Sequence, residues 1–412
     1  MNPPNASSRS ADLTTRWDAV MMRNYGTPPL MLSHGSGAQV WDVDGNSYLD
    51  LLAGIATSTL GHAHPAIVEA VSEQVTRFAH VSNLYGHELG IELAERLIDA
   101  AGVPGRVFFC QDGATANEAA YKLSRKHGRA IDPGGGKLEI VAAEGSFHGR
   151  TMGSLSVTGS AAKRLPFEPL PGPVTFVPYG DVDALNAAVT PRTAAVFLEP
   201  VLGEGGVIPA PEGFLAAARA ACDRSEALLV IDEVQSGIGR TGAMFASLRQ
   251  GVVPDVITLA KGLAGGLPLG ACVGFGEAAD LFVPGDHGST FGGNPVSCAA
   301  ALAVLDTIRD DDLLTHVRLV GDLWTARFAA IDHPLLSGSR GVGLWRALLL
   351  SEPLAKAVEV SAREHGYLVN AVAPDAVRLA PPLILTVEQA DSFAQALPRI
   401  LTDAMESAVT SS

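Results

Sequence analysis

A carboxylate and an amine each stand at the end of an apolar run. ALLVI, residues 227–231, ends in Asp232 and Glu233; DVITLA, residues 255–260, ends in Lys261 and Gly262. Short unbroken apolar runs read as strands buried on both faces of a parallel sheet. In an open α/β sheet, ligands sit beyond the carboxyl ends of the strands, so neighbouring strands would bring Asp232 and Lys261 to one rim. On spacing alone, a structural Asp–Lys ion pair at that rim is the simpler reading. The chemical alternative is specific. A lysine amine condenses with a carbonyl cofactor, and pyridoxal phosphate needs an acidic partner on its pyridine nitrogen to accept electrons.

The surrounding segments favour the second reading. IDEVQSGIGRTG and LAKGLAGGLPLGA resemble the corresponding segments of class III aminotransferases, pyridoxal-phosphate enzymes of fold type I. Similar segments recur in order from about Asn24 to Leu385. The resemblance implies an α/β fold: a large domain with a mostly parallel seven-stranded sheet flanked by helices, plus a small α+β domain. It implies Lys261 and Asp232 as the catalytic pair, Val234 against one face of the cofactor ring and Gln235 near its phenolic oxygen.

GRVFFCQDGATANEAAYKLSRKHG reads as strand, tight loop and helix. Gly113 permits close approach of an anion, and the helix start offers free N–H groups. By resemblance, Gly113 and Ala114 bind the cofactor phosphate. The family pattern here is Asn-Ser-Gly-(Ala/Thr)-Glu, whereas this chain has Gln111-Asp112-Gly113-Ala114-Thr115. Asp112 sets an anion beside a dianion, and weaker cofactor binding is expected unless it turns away or is neutralised.

In SFHGRT, the resemblance places Phe147 on the ring face opposite Val234 and makes Arg150 the grip for a substrate carboxylate, a task suited to a planar guanidinium fork. The plainer alternative for Arg150 is a surface salt bridge. Glu204, in LGEGG, matches a glutamate that pairs with an arginine corresponding to Arg378. The pair would mask Arg378 from an ω-amine and release it for the α-carboxylate of glutamate. Tyr25 matches a tyrosine lining the substrate pocket, with a packed surface aromatic as its alternative. In GDHGSTFGGNP, Ser289 joins the substrate-binding set, and Thr290 matches a threonine that reaches the phosphate of a neighbouring subunit; that implies a homodimer with shared active sites.

Three other patterns lead nowhere. His62 and His64 in GHAHP lack a third ligand and read as turn and packing residues, so no metal is expected. Ser160 and Lys163 fit SxxK without its companion motifs. Glu199 and Glu204 as a glycosidase acid pair have no other support.

The 412 residues carry a net charge of −15, which argues against general binding to nucleic acid or anionic membrane. Cys110, Cys222, Cys272 and Cys298 are widely spaced and read as buried thiols in a reducing compartment. The N-terminal residues resemble neither a signal peptide nor an anchor, and a cytoplasmic protein is expected. The expected organisation is a tail at 1–12, an N-terminal segment at 13–66 belonging to the small domain, a large cofactor domain at 67–310 and a C-terminal small domain at 311–412. VWDVDGNSYLDL reads as a hairpin turning at Asp44-Gly45.

Across the chain, NYGTPPL, FHGRTMGSL, TLAKGLAGGLP and HGSTFGGNPV are most similar to the acetylornithine-type branch of the family, actinobacterial members in particular. The implied reaction converts N2-acetyl-L-ornithine and 2-oxoglutarate to N-acetylglutamate 5-semialdehyde and glutamate, in arginine biosynthesis. Competing readings are an ω-aminotransferase for ornithine, another diamino acid or a carrier-bound amine; a glutamate-1-semialdehyde-type aminomutase; and a protein that kept the fold without turnover.

Overall fold

The computed structural model describes residues 8–410. Its centre is a seven-stranded sheet in the order Gly105–Cys110, Gly270–Phe275, Val256–Leu259, Leu228–Asp232, Thr193–Leu198, Glu139–Ala143, Val174–Val177. Gly270–Phe275 runs antiparallel to both neighbours, and every other pairing is parallel. The three strands Thr193–Leu198, Leu228–Asp232 and Val256–Leu259 are buried at every position. Helices cover both faces, which is why these strands are continuously apolar rather than alternating. Asp232 lies in register with Thr258, so Asp232 and Lys261 end adjacent parallel strands.

The rest of the chain frames this sheet. Gln39–Asp42 and Ser47–Asp50 form the expected hairpin. Its turn is built on Asp42, whose carboxylate accepts from the amides of Asp44 and Asn46 at 3.0 and 2.8 Å, and Gly45 supplies the positive φ of 92°. Ser47–Asp50 then pairs in parallel with Tyr367–Leu368. A second antiparallel sheet, Leu336–Val342, Trp345–Leu350, Ala376–Leu379, Asn370–Ala373, carries Arg378. Trp324 and Phe328 pack ring to ring against Phe393 of the C-terminal helix Val387–Thr410.

Two local expectations are corrected. Of the tail expected at 1–12, residues 1–7 lie outside the described residues, and a helix runs from Arg9 to Val20. Ser8 starts it: its hydroxyl accepts from the Ala11 amide at 3.2 Å, the usual work of a capping serine. The Ala376–Leu379 strand ends just before Pro381 and Pro382, which have no N–H to donate to a ladder. The helix Pro65–Arg77 straddles the expected division at 66. His62 Nε2 donates to Asp50 Oδ2 at 2.8 Å, and His64 occupies the N-cap position of that helix without a capping side-chain bond.

Candidate active site

A cavity of about 530 Å³ opens at the carboxyl ends of the central strands. Lys261, Asp232, Gly113, Ala114, Phe147, Arg150, Val234 and Gln235 all line it.

Asp232 is the most heavily anchored of these. It is 4 % exposed. Its Oδ1 accepts from the Val234 amide at 2.9 Å, and its Oδ2 accepts from Asn117 Nδ2 at 2.6 Å and from His148 Nδ1 at 2.8 Å. A carboxylate can only accept, so the last contact fixes the Nδ1–H tautomer of His148. Asn117 is itself oriented by Thr258 Oγ1 at 2.9 Å and by the His148 carbonyl at 2.8 Å. Each group's rotamer is set by the next, so the carboxylate is held in one direction.

Lys261 sits at φ +43°, a left-handed conformation that costs a non-glycine residue about 1–3 kcal/mol. The strain turns the chain sharply off the Val256–Leu259 strand at the cavity floor, and the hydroxyl of Thr59 fixes the next residue through the Gly262 carbonyl at 2.8 Å. Burial lowers the Lys261 amine to about 8, and the Arg378 cation pushes the same way against the attraction of Glu204, Asp232 and Glu199. A depressed amine is neutral above its pKa and can attack a carbonyl. Capture of an added aldehyde cofactor, followed by absorbance, should therefore quicken about tenfold per pH unit up to about pH 8 and level off above it. A rate still climbing at pH 10 would show an ordinary lysine.

The Gly113–Ile131 helix begins at the cavity wall, so the Gly113 and Ala114 amides are the first two of a helix and have no intrahelical acceptor. Only glycine fits at 113: a Cβ there would stand 2.7 Å from Val234 Cγ1. The phosphate-binding glycine and the ring-contacting valine of the sequence reading are thus packed together.

Glu204 and Arg378 meet as expected. Arg378 is 1 % exposed, and its Nη1 donates to Glu204 Oε1 at 2.7 Å and to Gln235 Oε1 at 3.2 Å. Its Nη2 donates to Asn370 Oδ1 at 2.7 Å, while Nε has no partner among the described residues. The pair adjoins the cavity through Gln235, which belongs to both. Arg150 makes no ion pair among the described residues; its guanidinium carbon lies 5.6 Å from the Phe147 ring centre. The salt-bridge alternative for Arg150 is not realised.

Tyr25, Ser289 and Thr290 are not brought to this cavity. Tyr25 is 91 % exposed, and Thr290 is also exposed. Ser289 holds its own loop, its hydroxyl accepting from the Gly292 amide at 3.0 Å. Sequence reasoning missed Asn117 and His148, although His148 lies between Phe147 and Arg150, and one helical turn separates Asn117 from Gly113. It also missed Glu118, whose carboxylate accepts from the Gly153 and Ser154 amides at 3.0 Å and so anchors the loop carrying Arg150. Glu199, dismissed as a glycosidase acid, lines the cavity, and its Oε2 has no partner among the described residues. Burial and then the charge of Asp232 push its carboxyl well above the usual range.

A phosphorylated pyridine aldehyde fits these residues. Free helix amides beside a compulsory glycine suit the phosphate, a depressed amine suits the aldehyde, and a buried, directed carboxylate suits the ring nitrogen.

Comparison with known proteins agrees with the geometry. The family model "Aminotransferase class-III" matches residues 20–401. The acetylornithine aminotransferase of Mycolicibacterium smegmatis is 56 % identical over 96 % of this chain and 99 % of its own. That of Streptomyces coelicolor is 54 % identical over 96 % and 97 %. Among solved structures, the ornithine aminotransferase of Toxoplasma gondii superposes with a TM-score of 0.90 at 30 % identity, covering 96 % of each chain. The N-acetylornithine aminotransferase of Stenotrophomonas maltophilia gives 0.82 at 34 % identity, covering 93 % of this chain and 99 % of the other.

Proposed function

The chain belongs to the class III aminotransferases, which depend on pyridoxal phosphate, and from that premise we propose that it transfers the δ-amine of N2-acetyl-L-ornithine to 2-oxoglutarate. The observation that carries this reading is the 2.7 Å Glu204–Arg378 bridge, close enough to Lys261 for both charges to act on its amine. An enzyme that alternates between an ω-amine and an α-amino acid needs an arginine that can be masked and unmasked at the reacting centre.

The residues divide the work as follows. Gly113 and Ala114 would offer amides to the cofactor phosphate, Asp232 would partner the ring nitrogen, Phe147 and Val234 would bound the ring, and Gln235 would serve its phenolic oxygen. When bound, the cofactor supplies an aldehyde and a ring that takes up electron density. Neutral Lys261 Nζ takes the proton from the amine-bearing carbon of the substrate and holds it for return on the far side of the amine nitrogen. Arg150 binds the α-carboxylate of acetylornithine, which leaves the δ-amine to reach inward. Glu204 stays on Arg378 in this half-reaction and swings off when glutamate arrives.

Addition of N2-acetylornithine to the holoenzyme without a keto acid tests the proposal. The cofactor's absorption band should shift, and 2-oxoglutarate should restore it with formation of glutamate. A band that ignores acetylornithine but responds to ornithine would move the assignment to a diamino acid. Restoration without 2-oxoglutarate would mark an aminomutase.

Glu204→Gln should move the balance between half-reactions, favouring glutamate over acetylornithine by about tenfold in the ratio of kcat/KM, since an unmasked Arg378 costs the ω-amine and helps the α-carboxylate. An unchanged ratio would remove Glu204 from this role.

Thr290 and Tyr25, exposed in one chain, fit a homodimer in which each subunit completes the other's site. Light scattering showing one subunit in solution would overturn that. No helix among the described residues is long and apolar enough to cross a membrane, and a cytoplasmic location is part of the same reading.

A further inference from the structure

The helix that starts at the cavity wall is capped by a carboxylate. Asp112 is its N-cap; its Oδ1 accepts from the Thr115 amide at 2.8 Å and from the Thr115 hydroxyl at 3.0 Å. In return, Thr115 Oγ1 accepts from the Asp112 amide at 3.1 Å. This is a reciprocal capping box. Asp112 also lines the cavity, next to Gly113 and Ala114.

Position 112 carries serine and position 115 glutamate in the family pattern; here the acid stands at 112 and the hydroxyl at 115. Either arrangement caps the helix. Both place one acceptor on the third amide and one back on the cap amide, so the exchange is close to neutral for the fold. It is not neutral for an anion at the helix start. The carboxylate now belongs to the residue adjoining the Gly113 amide, where it takes up part of the positive field of the helix terminus. The exchange also removes a hydroxyl donor, because a carboxylate has no proton to offer a phosphate. Ala114 brings no hydroxyl to replace it. Asp112 has not turned away from the helix end, as tight cofactor binding would require; it is fixed there by Thr115.

We infer that Asp112 sets the cofactor affinity of this enzyme, weakening the hold on the phosphate so that cofactor leaves and returns instead of remaining resident. The inference rests on the reading of the Lys261 cavity as the cofactor site. It predicts a protein whose active fraction follows the supply of phosphorylated cofactor.

The test is equilibrium binding to the apoenzyme of pyridoxine 5′-phosphate, which keeps the phosphate and lacks the aldehyde, so that Lys261 chemistry does not enter. Unphosphorylated pyridoxine is the control. Asp112→Asn keeps the capping oxygen and removes the charge; Asp112→Ser restores the hydroxyl. Each should tighten the phosphorylated ligand about tenfold, the order expected for removing one like charge beside a phosphate in a partly wet site. Neither should change binding of pyridoxine. The double variant Asp112→Ser with Thr115→Glu returns the acid to the far side of the turn and should match Asp112→Ser. Thr115→Glu alone sets two carboxylates on one helix start and should weaken the phosphorylated ligand further. If both ligands bind and neither substitution at 112 alters their ratio, Asp112 has no such role. If neither ligand binds any variant, the cofactor site itself is misassigned, a separate failure.

Discussion

Lys261→Met leaves a folded protein whose turnover falls by at least about 10⁴-fold, because the amine that would engage the cofactor and carry the proton is gone while the stem is kept. The same substitution should make the apoenzyme more stable at pH 7. Burial depresses the amine from the ordinary 10.5 to about 8. Below pH 8 the folded chain must either bury a cation or forgo a proton that the unfolded chain keeps, a difference of about 3 kcal/mol at most. From pH 8 to 10.5 the unfolded chain binds more protons than the folded one, so wild-type stability rises with pH through that window. The stability gap between Lys261→Met and wild type, read from urea unfolding, should accordingly be widest at pH 7 and small by pH 10. A variant less stable than wild type at every pH would mean that the lysine is not strained by its setting.

Asp232→Asn is the second large effect. The amide has nearly the same shape, yet it carries no charge and one of its two ends is a donor. The Oδ2 position receives protons from both Asn117 and His148. An amide nitrogen placed there would meet two donors; an amide oxygen placed there would turn the nitrogen toward the Val234 amide, which also donates. Either orientation leaves a buried mismatch and removes the counter-charge for the cofactor ring. We expect kcat to fall by about 10³-fold, with a much smaller change in KM, since the lost interaction matters most where charge develops on the ring. Equal losses in kcat from Asp232→Asn and Asp232→Glu would indicate that position matters more than charge. A loss under tenfold would remove Asp232 from the ring-nitrogen role altogether.

The parts of this site that were legible in the sequence are those fixed by sheet topology. Asp232 and Lys261 could be placed because each closes an apolar run, and parallel strands deliver their carboxyl ends to one rim. Gly113 could be read as a place where an anion approaches a helix start, while its assignment to the cofactor phosphate came from the family resemblance. The residues that orient Asp232 were not legible. Asn117 and His148 reach it across 115 and 84 positions of sequence, and nothing local tells a buried helix asparagine from one facing a carboxylate. Glu199 was seen and set aside for a related reason: a carboxyl at a strand end is common, and what sets this one apart is a cavity-lining position and an oxygen with no partner among the described residues. Arg378 needed the family resemblance, since VRLAPPLIL by itself gives no reason to send an arginine inward. Tyr25 and Thr290 show the opposite limit, because one chain offers them nothing to bind.

The parallel pairing of Ser47–Asp50 with Tyr367–Leu368 has a consequence for how the protein is made. Leu49 lies opposite Tyr367, and the Ala380 amide donates to the Leu51 carbonyl at 2.7 Å. The hairpin leaves the ribosome early and must wait for nearly all of the chain before its neighbour exists, the slow, non-local kind of closure. Arg378 arrives only with that same late segment. A nascent chain released before Tyr367 therefore lacks both the seam that joins its two ends and the arginine that Glu204 pairs with, so synthesis is either complete or yields no aminotransferase.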